Sequence, residues 1–422
     1  MTAADLHFSP FDPEQTKDPY PIWDRLRGEC PVYKSSMGSD EWMVDDAEDA
    51  GAVYVVTKHE DIAYILEHPD KFSSGEDKNG PGIPPEVLEE LAKGLPLSTT
   101  LYNTDPPEHT RMRTLVGQGL SQQRVAENAP RVRATAGELA AGLTGGSAEL
   151  LEQYVKPLAN TALLDFLGVP RDEQEQVLQW NGLWEMLFIP GLPVEDQRQA
   201  AAQIVEYQRW YERAVEDRRA NPREDMLTRL ANARTDSGDT LTMAEIAWCT
   251  MELISAGAAN TVDGLANVLL VLLSEPKRWE EVLADRELLP AAVEEGLRLE
   301  GPTQWLPRTA AEDIELSGTR IPKGAMVAVT YQAGNRDPEA FPSPATYDPK
   351  RPGLARHVAF GRGAHYCVGA GWSRMAIRTG IEVLLDTIPD ARLPEDYEPE
   401  FYLPIPVLRC VTSLPVTWPV TG

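Results

Sequence analysis

From about Pro107 to Glu300 the apolar residues return every three to four positions, the spacing of one helix face, and prolines as at Pro190-Gly191-Leu192-Pro193 and Asn221-Pro222 mark the breaks. The chain before Pro107 mixes shorter elements. Residues 32–35 and 52–57 predict two strands around a loop carrying Asp40, Glu41, Asp45, Asp46, Glu48 and Asp49, a solvated hairpin tip. The longest predicted helix starts at Thr242, whose hydroxyl forms a capping box with Glu245, and runs to Ser274 before Pro276. At ~1.5 Å per residue it is about 50 Å long, enough to cross the molecule. It is apolar nearly all round (Ile246, Met251, Leu253, Ile254, Leu265, Val268, Leu269, Val271, Leu272), so it belongs in the core. A break of small and polar residues, Ala256-Gly257-Ala258-Ala259-Asn260-Thr261, sits in its middle and serves either close packing or room for a ligand. Another helix is predicted from Ala370 to Asp386. With no repeat, low-complexity tract or Gly/Ser linker, residues 1–422 are expected to form one domain, mainly α with a minor β-sheet region.

Composition narrows the class. Hydrophobic residues make up 42% and charged residues 25% of the chain, ordinary for a globular protein. No run of about 18 or more apolar residues is available to span a bilayer, so an integral membrane protein is not expected. The start, Met1-Thr2-Ala3-Ala4-Asp5-Leu6-His7, lacks the basic and apolar regions of a secretory signal, and the expected location is cytoplasmic. Asp and Glu number 66 against 39 Lys and Arg, and the resulting formal charge of −27 repels polyphosphate and argues against nucleic acid as a partner. Against that background residues 351–380 hold Arg351, Arg356, Arg362, Arg374 and Arg378 and no Asp or Glu, where average usage would place about five acids. Cys30, Cys249, Cys367 and Cys410 are too scattered for a disulfide framework or a structural zinc site, which leaves a lone functional cysteine.

Phe360-Gly361-Arg362-Gly363-Ala364-His365-Tyr366-Cys367-Val368-Gly369 carries the strongest local signal. Its glycines let the backbone approach a flat object while a thiolate is delivered at a helix start. An inert core cysteine is the commoner case, but a cysteine fixed in such a loop belongs to the reactive or metal-binding minority, and thiolate is one of the axial ligands of haem iron. On this motif the sequence resembles the cytochrome P450 family of haem-thiolate monooxygenases, in its soluble bacterial branch, over nearly the whole chain. The resemblance implies the cytochrome P450 fold and haem b, with Cys367 as the metal ligand and Phe360, Gly361 and Gly369 binding the cofactor. It also implies O2 as co-substrate and electrons from NAD(P)H through a ferredoxin-type partner.

Two further stretches match. Glu295 and Arg298 in Glu295-Gly296-Leu297-Arg298 would alone be an ordinary surface pair worth a few tenths of a kcal/mol. The resemblance makes them a buried scaffold pair, completed by Arg351. In Asp105-Pro106-Pro107-Glu108-His109-Thr110-Arg111-Met112-Arg113 it assigns His109 and Arg113, with Arg308 and His365, to the two haem propionates, which need basic donors.

The centre of the long helix departs from the family, which shows Ala/Gly-Gly-x-Asp/Glu-Thr near the iron. Anchored on Ala256 and Gly257, the acid position holds Ala259 and the alcohol position Asn260; slid by one, Thr261 stands for the alcohol and Asn260 for the acid. Either way the acid is lost. An amide does not release a proton at ordinary pH but can hold a water that does, so Asn260 is expected to position such a water, or a substrate group to act directly, with Asp263 as a weaker relay. Ala256, Gly257, Ala259, Asn260 and Thr261 are thus the expected oxygen-site residues. Arg362 and Arg374 are expected to dock the electron donor. By resemblance the pocket is lined by parts of 72–103, 180–188, 199–211, 256–260, 304–306 and 403–407, and its content suggests a small apolar substrate such as a terpenoid, a steroid or a secondary metabolite. Two rivals remain: a peroxide-driven haem-thiolate oxidase, prompted by Ala259 and Asn260, and a non-catalytic haem sensor or carrier.

Overall fold

The computed structural model of the protein describes residues 8–9, 12–35, 52–75, 83–187, 192–402 and 407–419. The acidic tip of the first hairpin, Phe188 and residues 403–406 lie outside them.

Helices dominate. Those that build the site are α1 (Glu108–Gly117), α2 (Gln122–Ala141), α3 (Lys156–Leu167), α4 (Val194–Ala220), α5 (Met243–Leu273), α6 (Leu289–Glu300) and α7 (Ala370–Thr387). The capping box at the start of α5 forms as the sequence predicts: Glu245 N donates to Thr242 Oγ1 at 3.2 Å, and Thr242 N to Glu245 Oε2 at 2.7 Å. Helix α5 packs against α3, α6 and α7, and α7 against α2. Leu265, Val268, Leu269 and Leu272 are all at most 1% exposed, each contributing roughly 1.5–3 kcal/mol by burial. The expectation that no segment could span a bilayer needs correcting for α5. By length and composition it is long and apolar enough to cross a membrane, but 72% of that stretch is buried inside the protein. It is a core helix whose apolar girth is covered by other helices.

One sheet of five strands lies beside this bundle. Strands β1 (Val32–Ser35), β2 (Val53–Val56), β3 (Phe72–Ser73), β4 (Leu306–Ala310) and β5 (Met326–Val329) are ordered β1-β2-β5-β4-β3. β2 and β5 run parallel, with Val53 beside Met326, and the other pairs are antiparallel. The register sets Arg308 of β4 opposite Val327 of β5 and anchors the chain that leaves α6.

Candidate active site

Between Phe360 and Ala370 the chain makes a tight loop that ends at the first residue of α7. Gly361 and Gly363 both have φ 68°, a region L side chains rarely adopt. At Gly363 a Cβ would lie 2.3 Å from the carbonyl oxygen of Leu66, so this loop can rest on the helix His59–Glu67 only with glycine there. Cys367 N closes the loop by donating to Phe360 O at 2.8 Å. The Cys367 side chain is exposed although protein surrounds it, so its accessible surface faces an interior cleft. Burial pushes the thiol up; the N–H groups of Gly369 and Ala370 and the charges of Arg113 and Arg374 act against that rise.

Behind the loop, Glu294 of α6 receives Arg374 Nε at 2.7 Å and Nη2 at 2.8 Å, and its Oε2 lies 2.8 Å from His357 Nε2. Arg374 Nη1 donates to the Tyr366 hydroxyl at 2.7 Å, and its guanidinium lies 4.2 Å from the centre of the Phe360 ring. Burial alone would raise the Glu294 carboxyl, but the bonds to His357 and Arg374 outweigh it and hold it at about 2. Arg374, one of the two expected docking residues, is therefore charge-paired within the protein. Arg362 is more exposed and pairs with Glu67 at 2.6 Å. Arg351 joins Glu295, and Arg356 donates to Ala340 O at 2.5 Å. Arg378 is exposed. The acid-free stretch is thus not a bare positive patch: most of its arginines meet partners from elsewhere in the chain.

The next residue of α6 forms a second network. Glu295 and Arg298 are 0% exposed, and Arg298 binds both carboxylate oxygens, Nε to Oε2 at 2.7 Å and Nη2 to Oε1 at 2.8 Å. Arg351 Nε lies 3.0 Å from each oxygen of the same carboxylate. Asp348 N adds a bond of 2.9 Å to Oε1. The remaining guanidinium N–H groups donate to carbonyls of Asn335, Pro342, Pro344 and Thr346, so this buried group is fully engaged.

Four basic side chains, two from α1, one from β4 and one from the cysteine loop, converge beside Cys367. The His109 ring, from α1, lies 4.1 Å from the ring of His365, and neither Nε2 has a hydrogen-bond partner among the described residues. Arg113, one turn on in α1, is half-buried, and Arg308 of β4 is buried; neither has an ion pair among the described residues. Burial lowers both imidazoles, and the two arginines lower them further, His365 to about 3. Asp105 opposes this from nearby, but it is held by the Ser73 hydroxyl and by the N–H groups of Ser74 and Gly75 at 2.9 and 3.1 Å. Unpartnered buried polar atoms beside unmatched positive charge, in a chain of charge −27, suit a ligand bringing carboxylates.

Along α5 burial changes abruptly. Residues 261–273 are buried throughout, whereas Ala256 is exposed and Gly257, Ala258, Ala259 and Asn260 are partly so. Gly257 also packs closely: a Cβ there would lie 2.9 Å from a methyl of Leu163 on α3, so the small-residue stretch serves packing on one side and accessible space on the other. Asn260 Nδ2 donates to Ala256 O at 2.9 Å, and Thr303 Oγ1 donates to Asn260 Oδ1 at 3.2 Å. Thr261 is 3% exposed and its hydroxyl lies 3.4 Å from Ser373 Oγ on α7. The alternative register with Thr261 as the accessible alcohol is therefore not the one adopted. Asp263 is likewise turned into the core, where burial raises it to about 7 and the Cys410 thiol bonds to it.

Two residues on the accessible side escaped the sequence reading. Thr303 carries no motif and meets Asn260 only through the fold. Glu252, one i,i+4 step before Ala256 and about 80° around the helix from Asn260, accepts from Thr100 Oγ1 at 2.5 Å and Tyr102 N at 3.2 Å, and burial raises its carboxyl to about 7. Its spacing from Ala256 and Asn260 is the signal that was available. Of the expected pocket residues, Gln304 and Trp305 are 1% and 3% exposed, and Tyr207 and Tyr211 are core residues joined by a 2.8 Å hydrogen bond. Trp184 packs on Trp248 at 4.8 Å and Trp180 on Tyr207 at 5.5 Å, in keeping with helix packing.

The fold and the cysteine loop together define a haem-thiolate oxidoreductase. The cytochrome P450 family model matches residues 174–388. The chain is 32% identical over 407 residues to the cytochrome P450 monooxygenase PikC of Streptomyces venezuelae, covering 95% of this chain and 91% of that protein. It is 29% identical to the vitamin D(3) 25-hydroxylase of Pseudonocardia autotrophica, covering 95% and 94%. The structure of cytochrome P450 CYP109Q5 from Chondromyces apiculatus superposes with a TM-score of 0.84 at 27% identity, covering 99% of both chains. The chain belongs to the cytochrome P450 family, and its relatives are bacterial monooxygenases. Membership brings haem b, O2 and reducing equivalents from NAD(P)H through a redox partner. The basic cluster fits a cofactor with two propionates, and the accessible Cys367 fits its iron.

Proposed function

We propose that this enzyme inserts one oxygen atom from O2 into an apolar small molecule, a terpenoid, steroid or other secondary metabolite, in the cytoplasm, with electrons from NAD(P)H through a ferredoxin. The observation that carries the reading is the unmatched basic cluster beside Cys367: His109 and His365 with unpartnered Nε2 atoms, and the positive charges of Arg113 and Arg308 without an ion pair among the described residues. Those four hold the propionates, Cys367 ligates the iron as thiolate, and Phe360, Gly361, Gly369 and Ala256 bound the haem. Bound haem supplies the oxidising chemistry, to which the thiolate contributes electron density. The chain's own residues do the rest. Arg113 opposes the rise in the Cys367 thiol. Ala256, Gly257 and Ala259 leave room beside the oxygen site, and Asn260 presents an amide that holds a water for proton delivery. Thr261 supports α5 against Ser373. The ferredoxin docks near Arg362 and Arg374, with Arg362 in contact and Arg374 keeping the loop in place.

The hydroxylase named for vitamin D(3) among the relatives supports a bulky apolar substrate. A titration of the haem-loaded enzyme with terpenoids, steroids, fatty acids, aromatics and polyketides tests this through the shift in haem spin state. One class is expected to shift the spectrum and to yield a hydroxylated product with the ferredoxin chain. Product formed with peroxide but not with that chain would support the second reading, a peroxide-driven oxidase, which the absence of an acid at Ala259 favours.

A further inference from the structure

The alcohol that α5 lacks at position 260 has a counterpart outside the helix. Thr303 follows α6 on a backbone pinned from both sides: it bridges Leu408, Gln304 N donates to Val407 O at 2.8 Å, and Arg409 N donates to Pro302 O at 2.9 Å. From this fixed position its hydroxyl donates to Asn260 Oδ1 at 3.2 Å, while Asn260 Nδ2 donates to Ala256 O at 2.9 Å. Both ends of the amide are thereby oriented. A hydroxyl has one proton and two lone pairs, so Thr303 with its proton on Asn260 still accepts. Asn260 Oδ1 keeps a second lone pair as well. Thr303 and Asn260 are both partly accessible, whereas Thr261, the helix residue next to Asn260, is buried against Ser373.

We infer that Thr303 supplies the oxygen-site alcohol from the segment after α6 and, with Asn260, holds the water that delivers protons. The inference rests on the monooxygenase reading above. Thr303 is a positioning residue: it accepts from the water and stops the Asn260 amide from turning. The water gives its proton to the reduced oxygen and is reprotonated from solvent, so neither Thr303 nor Asn260 changes charge. A water held by one acceptor alone keeps more orientational freedom and delivers its proton less often to the far oxygen atom.

The test uses the haem-loaded full chain with NAD(P)H, ferredoxin and its reductase, and no added substrate. Oxygen then leaves either as peroxide, at one NAD(P)H per O2, or as water, at two, and the peroxide yield per NAD(P)H reads the partition. Thr303→Val, which keeps shape and removes the hydroxyl, is expected to raise the peroxide-to-water ratio about fivefold, the order of one lost hydrogen bond. Thr303→Ser is expected to return it to the wild-type value. The fraction of low-spin ferric haem, a readout independent of turnover, is expected to fall in Thr303→Val and recover in Thr303→Ser. An unchanged ratio in Thr303→Val, or a serine variant no better than valine, overturns the inference. If the reduced carbon monoxide complex of the wild type lacks the thiolate band, the haem-thiolate reading fails instead, and the two failures are distinct.

Discussion

Replacing Glu295 by glutamine keeps the shape of the side chain and removes one negative charge from a site that holds two positive ones. Arg298 and Arg351 are 0% and 4% exposed, and both bond to the same carboxylate. In Glu295→Gln the two guanidiniums face each other unopposed, a loss expected to cost about 3–5 kcal/mol. Arg351→Gln is the informative counterpart, because it leaves one negative charge against one positive charge. Glu295 then keeps Arg298 at 2.7 and 2.8 Å and the Asp348 N–H at 2.9 Å, and the cost falls to that of lost charged hydrogen bonds, about 1.5–3 kcal/mol. Both are large fractions of a total stability of roughly 5–15 kcal/mol. Urea unfolding of each variant, followed by far-ultraviolet circular dichroism and compared at equal slope, reads the difference. Glu295→Gln is expected to be the less stable by at least about 1 kcal/mol. If Arg351→Gln is as costly or costlier, the charge argument fails, and the carbonyl bonds of Arg351 to Pro342 and Thr346 hold the site together instead.

Three more outcomes follow from other groups. Glu294 is held at about 2 against an ordinary 4.5, so its stabilising effect is complete above the ordinary value and is lost as pH falls toward the lower one; acid unfolding is expected to be less steep in Glu294→Gln than in wild type. Asp263 has the opposite sign: raised from 3.8 to about 7, it favours the fold while neutral and loses that contribution as pH rises between those values. Asp263→Asn is therefore expected to gain stability relative to wild type at pH above 7 and not below 3.8, measured as a difference in unfolding midpoint at the two extremes. Arg308→Gln removes a buried cation from the propionate site, and haem transfer to an apoglobin acceptor is expected to be at least roughly tenfold faster, the order of one charged hydrogen bond; an unchanged rate would take Arg308 out of cofactor binding.

What the sequence made legible was local in the chain or fixed by motif. The capping box at Thr242 and Glu245 and the helix start at Ala370 each depend on residues within a few positions of one another. The loop around Cys367 declares itself through Gly361 and Gly363, because their positive φ and the contact with Leu66 tolerate no side chain. Partners far apart in sequence could not be read. Glu294 lies 80 residues from Arg374, and no periodicity joins them, so the pairing of this expected docking residue could not be read. Thr303 and Asn260 are 43 residues apart and meet because α6 ends beside α5. Thr261 and Asn260 are neighbours whose side chains part by about 100° around the helix, and only packing on α7 decides which of the two is buried. The apolar length of α5 fits a membrane or a core equally well until the helices around it are known.

The central claim is that Cys367 ligates haem iron as a thiolate, and the absorption spectrum of the reduced carbon monoxide complex tests it most directly. Wild type is expected to give the red-shifted Soret band of a thiolate ligand, and Cys367→Ser to lose it while still folding to the same helical content. A red-shifted band that survives in Cys367→Ser, or its absence from haem-saturated wild type, would contradict the account.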